Sequence, residues 1–250
     1  LEDDLMKIFG GDMVTSVYNS LGVDENMPLQ MGLLSKTVES AQRKVEGKHF
    51  SIRKHVLQYD DVMNTQREII YGERRQVLDG ENLKDKILKM FSTVAEQIVL
   101  SHVGEELNVE GLKADIKAQF GITNLESLEA KHINEAKVIE EVNEKILDKY
   151  SKKEEEFGEA DLREVERVVM LKVVDQKWMN HIDSMDELKD GIGLRAYGQK
   201  DPVVQYRIEG FDMFDQMVND IKFDVTKILL NIDFLKGCLY SIFNFNYLIY

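Results

Sequence analysis

Cysteine and proline are scarce in this sequence: one cysteine, Cys238, and two prolines occur among 250 residues. A single cysteine excludes an internal disulfide framework and a zinc site built from several thiolates. The shortage of proline favours long uninterrupted helices over a strand-rich fold with many turns. No run of about 18 apolar residues exists, and the first residues lack the pattern of a signal peptide. A reducing, cytoplasmic compartment fits these absences.

Basic residues are also few, with 32 Lys and Arg against 46 Asp and Glu, giving a formal net charge of −14. Nucleic-acid binding depends on neutralising phosphates, so such an acidic chain is a poor nucleic-acid partner. The apolar fraction of 43% can fill a core, which argues against disorder.

A long apolar stripe begins at Ser35 and predicts one helix to about Asp79. Such a helix would be roughly 65 Å long, far beyond the ordinary globular length, and would need several packing partners. We expect it to be unbroken; the alternatives are a kink or break near Gly47, or a plain coiled coil. The stripe consists of Val38, Ala41, Val45, His49, Ile52, Val56, Tyr59, Met63, Gln66, Ile70 and Val77.

Shorter helical patterns fill residues 82–157 and predict a small helical subdomain, in which Gly121 is a natural helix stop. Two long helical patterns follow, and the stretch DGIGLRAYGQKDP at 190–202 separates them. Asp201 can cap the second of these helices and Pro202 suits its first position. We therefore predict an all-α fold that ends in an antiparallel helical hairpin, whose bend is formed by Gly191, Gly193 and Gly198.

Catalytic and metal-binding patterns are weak. GLLSKT at residues 32–37 lacks the second glycine of a phosphate-binding loop, and no two of the five histidines have helical ligand spacing. Asp60 and Asp61 point about 100° apart on a helix, so salt bridging or capping is the better interpretation. Core packing is the default role for Trp178. The residues alone thus predict a helical scaffold and interaction protein.

Two stretches of the sequence indicate a particular protein family, which the general helical patterns do not. They are QRKVEGKHFSIRKHVLQYDDVMNTQREIIYGER at 42–74 and LKVVDQKWMNHIDSMDELKDGIGLRAYGQKDPVVQYRIEGFDMF at 171–214. Both closely resemble the SecA family, the motor ATPases of bacterial preprotein translocation, over residues 1 to about 231. The resemblance implies the end of the second motor domain and a linker at 1–33, the long scaffold helix at 34–81, a helical wing at 82–158 and a two-helix finger at 159–231.

The resemblance also implies roles for single residues. At the finger tip, Leu194, Arg195 and Tyr197 would contact the translocating polypeptide at the mouth of the SecYEG channel. Arg53 would contact the motor domains, and Trp178, on the first finger helix, would take part in restraining ATP turnover. Partners would be SecYEG, unfolded preproteins and the SecA motor domains, at the cytoplasmic, inner face of the plasma membrane with peripheral membrane contact.

Several family features are missing from the sequence. Nucleotide-binding motifs are absent, so ATP and Mg²⁺ belong to the motor of the full-length family and this chain should not hydrolyse ATP alone. An aromatic, aggregation-prone run at 232–250 stands where the family has a linker and a zinc tail. It suggests a truncated or frame-disrupted end, or an artificial addition. Without a motor, the long helix should lack partners along much of its stripe, and we expect self-association or partial disorder near 1–33.

Two functional hypotheses follow. The chain is the channel-facing part of a SecA subunit, active only with its motor, or it is a stand-alone helical interaction protein that regulates a separate motor. A reading frame for the motor domains immediately upstream and in frame would favour the first. A full-length copy elsewhere would favour the second.

Overall fold

A computed structural model describes residues 16, 20, 32–79, 83–103, 108–129, 133–195 and 201–232 of the chain. These residues form six α-helices and one 3-10 turn, Glu126–Leu128, with no strand among them. The predicted all-α fold is therefore confirmed for this part of the chain. The helices are α1 (Gly32–Asp79), α2 (Leu83–Ser101), α3 (Val109–Phe120), α4 (Glu135–Phe157), α5 (Glu159–Arg195) and α6 (Pro202–Asn231).

The long helix α1 runs for 48 residues without a break at Gly47, as preferred from the sequence. Its apolar stripe is not uniformly buried. Ala41, Ile70 and Val77 are buried, whereas Ile52 and Val56 are exposed. The reason is that α5 and α6 pack against the second half of α1, so much of the stripe in the first half has no cover from the described residues.

Helices α5 and α6 form the predicted antiparallel hairpin. The Lys177 ammonium lies 2.8 Å from the Asp224 carboxylate, while Met185 lies against Gly210, so later positions of α5 meet earlier positions of α6. Asp201 caps α6 by accepting a hydrogen bond of 2.8 Å from the backbone N–H of Val203, and proline occupies the first turn. The predicted helix start is confirmed.

The prediction that Gly191 and Gly193 form the bend is wrong, because both lie inside α5, which continues to Arg195. Glycine is a poor helix former, but Ile192 between them is buried against Met185 and Tyr206. That apolar contact holds the helix together past both glycines. Gly198 lies outside the described residues.

The helical subdomain α2–α4 packs against the base of the hairpin, that is, the start of α5 and the end of α6. Its core is continuous with those two helix halves. α3 stops at Gly121, as predicted, where φ is +66° and the glycine N–H donates to the Lys117 carbonyl. The shared core includes Ile87, Phe91, Val94, Leu112, Ile116, Phe120, Val142, Ile146, Leu162, Val165, Val225 and Leu229.

A second, smaller core lies toward the hairpin tip, where α1 completes a three-helix bundle. Tyr206 on α6 is buried there, and the ring of Tyr59 on α1 meets it edge-on with centroids 4.9 Å apart. Burial, then the nearby carboxylates of Asp186 and Asp60, raise the pKa of Tyr206 to about 12. Its hydroxyl therefore stays neutral at physiological pH.

Candidate functional site

One buried side chain, Gln66 of α1, joins the long helix to both helices of the hairpin. Its Nε2 donates to the Gly210 carbonyl of α6 over 2.9 Å, and its Oε1 lies 2.8 Å from Nε2 of His181 on α5. A carbonyl can only accept, so the amide must present its NH₂ to Gly210 and its oxygen to the histidine. Nε2 of His181 therefore carries a proton and donates it.

Apolar rings enclose His181. The Trp178 and Phe214 rings lie 5.6 and 5.7 Å from the imidazole, centroid to centroid. Burial lowers the pKa of His181 below its ordinary value, because a charged imidazolium would be poorly solvated there. The junction is therefore built around a neutral histidine.

Gly210 lies where the three helices pack closely together. A Cβ placed on it would lie 2.6 Å from Cε of Met185 and 3.7 Å from a methyl group of Val62. The missing side chain thus lets α5 and α1 approach the backbone of α6. That approach also brings the Gly210 carbonyl within reach of Gln66.

Partly exposed ion pairs lie on either side of Gln66 along α1. Asp60 lies 3.7 Å from Lys189, and Arg74 lies 2.9 Å from Asp175. The salt-bridging interpretation of Asp60 is thereby confirmed. Such exposed pairs contribute little stability, about 0–1 kcal/mol each. Their contribution is to the alignment of α1 against α5 more than to the free energy of unfolding.

A second polar cluster lies at the base, where α2, α4 and α5 meet, and centres on the fully buried Glu166. The Tyr150 hydroxyl and the Arg163 guanidinium each donate to its carboxylate over 2.6 Å. Arg163 also donates to Glu154, which accepts from Lys84 of α2 as well. Burial raises the pKa of Glu166, and the hydrogen bond from Tyr150 and the charge of Arg163 oppose that rise.

Sequence reasoning missed this cluster, although a signal was present. Glu166 falls in the apolar stripe of α5, between Leu162, Val165 and Val169, where a carboxylate needs a partner. Gln66 gave the same kind of signal, as a polar residue on the stripe of α1.

The sequence-predicted site residues are not brought together. Arg53 is exposed on the uncovered half of α1, whereas Trp178 is buried at the level of Ile70, roughly 25 Å further along that helix. The side chains of Leu194 and Arg195, and all of Tyr197, lie outside the described residues. Their predicted contacts stay predictions.

Within the described ranges, no three His, Cys, Asp or Glu side chains are grouped so as to hold a metal ion. None of the helices described is long and apolar enough to cross a membrane. What the described residues do show is a long helix joined to a hairpin through one buried polar cluster, and a helical subdomain joined to the hairpin through another. They define an α-helical scaffold.

Comparison with known proteins identifies the scaffold. Residues 28–233 match the family model described as the SecA wing and scaffold domain. The chain therefore belongs to the SecA family.

Two named relatives show how much of a family member the chain represents. It is 47% identical to the protein translocase subunit SecA 1 of Clostridioides difficile, over 93% of this chain and 26% of the relative. It is 43% identical to the protein translocase subunit SecA of Pelotomaculum thermopropionicum, over 94% of this chain and 27% of the relative. The chain spans about a quarter of the length of these relatives.

Proposed function

We propose that this chain is the scaffold, wing and two-helix finger of a SecA protein translocase subunit. A role in protein translocation is supported by the family match and by relatives that are named protein translocase subunits. We further propose that ATP hydrolysis in separate motor domains is coupled to the movement of unfolded preproteins through the SecYEG channel. ATP and Mg²⁺ are bound by the motor, and the assembly works at the inner face of the plasma membrane.

The observation that carries the proposal is the Gln66 junction. One side chain of α1 is hydrogen-bonded to both helices of the hairpin, inside a packed core. Close-packed interiors transmit displacement because they deform little. A shift of α1 would therefore move the hairpin as a unit, and the tip with it, which mechanical coupling requires.

The first half of α1 supplies a surface for the motor domains. Phe50, Arg53 and Leu57 are exposed there at i, i+3 and i+7, so they share one face of the helix. Two large apolar side chains exposed on one helix face are typical of a protein contact. Arg53 is our candidate for the polar contact within it, and Trp178 would transmit restraint of ATP turnover from the finger.

A photo-cross-linker at Tyr197 tests the tip assignment in a motor-containing subunit engaged with SecYEG and an arrested preprotein. We expect adducts with the preprotein and the channel. The control position is Lys152, exposed on α4 of the wing, which should give neither. Labelling from position 197 confined to unrelated surfaces would contradict the proposal.

The second candidate function is a stand-alone regulatory scaffold. It is favoured by the continuous core that α2–α6 form without any motor domain. This candidate predicts that the purified chain changes ATP turnover of a separately supplied SecA motor. A motor reading frame directly upstream and in frame would exclude it.

A further inference from the structure

A groove of about 830 Å³ lies between α1 and α5. It is formed by one face of α1 from Arg67 to Leu78 and by α5 from Asp175 to Met179. Its size falls within the range of clefts that hold ligands or partner side chains. It lies further from the hairpin tip than the Gln66 junction, so the proposed polypeptide contact at the tip does not use it.

The floor of the groove is apolar and partly uncovered. Ile70 and Trp178 are buried in it, but Met179 is 66% exposed and Tyr71 is 54% exposed. Large apolar side chains grouped in a concave surface are typical of a contact site.

Gly72 lies in the groove, inside α1 and two turns before its end at Asp79. Glycine in a helix interior destabilises it by about 1 kcal/mol relative to alanine. No described atom outside the local helix lies within 4 Å of a Cβ placed there, so packing against this part of the chain does not require a glycine. Its effect is to leave the groove open and the backbone accessible to a partner.

The groove is lined by three arginines and two carboxylates, so it has a small positive excess in a chain of net charge −14. Arg74 is paired with Asp175, and Glu68 is the other lining carboxylate. Arg67 donates to the neutral Asn64, and Arg75 has no hydrogen-bond or ion-pair partner among the described residues. Two guanidinium groups are therefore available to pair with carboxylates of an incoming partner.

We propose that this groove docks an acidic amphipathic segment of a partner protein. Apolar side chains of the segment lie against Tyr71 and Met179, and its carboxylates pair with Arg67 and Arg75. A peptide fits better than a lipid surface, because the groove is concave with an apolar floor and offers only two guanidinium groups that have no carboxylate partner among the described residues.

The single tryptophan of the chain reports on the groove without labelling, because Trp178 lines it. The full chain is titrated with a short synthetic helical peptide of leucine and glutamate, and with the same peptide carrying glutamine for glutamate. We expect a saturable change in emission with the acidic peptide. The neutral peptide should bind at least about tenfold more weakly, which corresponds to about 1.4 kcal/mol.

Two glycines of α1 give a matched pair of variants. Gly72→Leu fills the groove and should abolish binding, whereas Gly47→Leu changes an equally open glycine elsewhere on α1 and should keep the original affinity. Both should retain helical circular dichroism, since leucine favours helix over glycine. Arg67→Gln with Arg75→Gln should weaken binding about tenfold, by removing both charge-assisted contacts.

Three results would overturn the proposal. One is equal binding by Gly72→Leu or by the neutral peptide. Another is a response to phosphatidylglycerol vesicles with none to the acidic peptide, which would assign the groove to lipid. The third is a concentration-dependent emission change without peptide that is lost in Gly72→Leu, which would show that a second copy fills the groove.

Discussion

His181 donates a hydrogen bond to Gln66 over 2.8 Å across 115 positions of sequence, and that pair fixes the hairpin to the long helix. The same amide donates to the Gly210 carbonyl. The Gln66 amide and the His181 N–H are shielded from water and have no alternative partner among the described residues when one of them is removed, whereas the Gly210 carbonyl keeps its bond within the helix. The fold thus concentrates the attachment of the hairpin in a few atoms.

Replacing Gln66 tests that attachment. Gln66→Ala leaves the buried His181 N–H without its acceptor and removes the second hydrogen bond to the Gly210 carbonyl, so we expect a loss of about 1–3 kcal/mol in the free energy of unfolding. Urea denaturation of the chain followed by circular dichroism measures it. Gln42→Ala, at an exposed position of the same helix, should change stability by less than about 0.5 kcal/mol. Equal effects of the two changes would contradict the role of the junction.

The neutral state of His181 predicts a pH dependence. Its folded pKa lies below the ordinary 6.5 because of burial. The unfolded state therefore binds a proton first as pH falls, so stability is retained above about pH 6.5 and lost progressively below it, down to the folded pKa.

We expect the wild-type chain to lose more unfolding free energy between about pH 7.5 and 5.5 than His181→Gln does. Denaturant titrations at the two pH values give the comparison. His49→Gln changes an exposed histidine of α1 and should keep the wild-type loss. An identical loss in wild type and His181→Gln would refute the burial argument.

Glu141 of α4 holds the 3-10 turn by accepting hydrogen bonds of 2.8 Å from the backbone N–H groups of Glu126 and Ser127. Burial alone would raise its pKa, but the hydrogen bonds from Lys145 and from these residues outweigh that and lower it to about 2. Its stabilisation is therefore present above the ordinary value of 4.5 and is lost as pH falls toward about 2.

Glu141→Gln should lower the free energy of unfolding by about 1–3 kcal/mol at neutral pH, because the charged acceptor is lost. The difference from wild type should shrink as pH falls below 4.5. Glu140→Gln alters the adjacent, exposed carboxylate and should have little effect. If the difference in unfolding free energy between Glu141→Gln and wild type stayed constant down to acid pH, the charge of Glu141 would not be what holds the turn.

The base cluster predicts the largest single effect. Glu166→Leu leaves the buried Tyr150 hydroxyl and the partly buried Arg163 guanidinium without their shared acceptor, and we expect a loss of about 3–5 kcal/mol in the free energy of unfolding, measured by thermal or urea unfolding. Glu164→Leu removes an exposed carboxylate two positions away, paired only with Arg167, and should lie within about 0.5 kcal/mol of wild type. Comparable losses in both variants would show that the cluster does not attach the helical subdomain α2–α4 to α5.

The sequence was sufficient for features that depend on neighbours along the chain. The length of α1, the stop at Gly121 and the start at Asp201 and Pro202 all follow from local periodicity and capping. The prediction placed the bend too early in the chain. Ile192 is buried against Tyr206, across the hairpin, and that contact outweighs the poor helix propensity of the neighbouring glycines.

Features that depend on distant partners could not be predicted in detail. A glutamine on an apolar stripe indicates a buried partner, but nothing near Gln66 in sequence identifies His181 and Gly210. The domain boundaries and the tip contacts taken from the family resemblance remain predictions, since the described residues do not reach Tyr197.

Coupling itself is measured most directly by the amount of preprotein moved per ATP hydrolysed. In a motor-containing subunit on SecYEG vesicles, Gln66→Ala should lower this ratio, because the hairpin no longer follows α1 tightly, while Gln42→Ala should leave it unchanged. The lower unfolding free energy of Gln66→Ala would show that the junction is weakened. If the ratio were nevertheless unchanged in this variant, Gln66 would not couple the hairpin to α1.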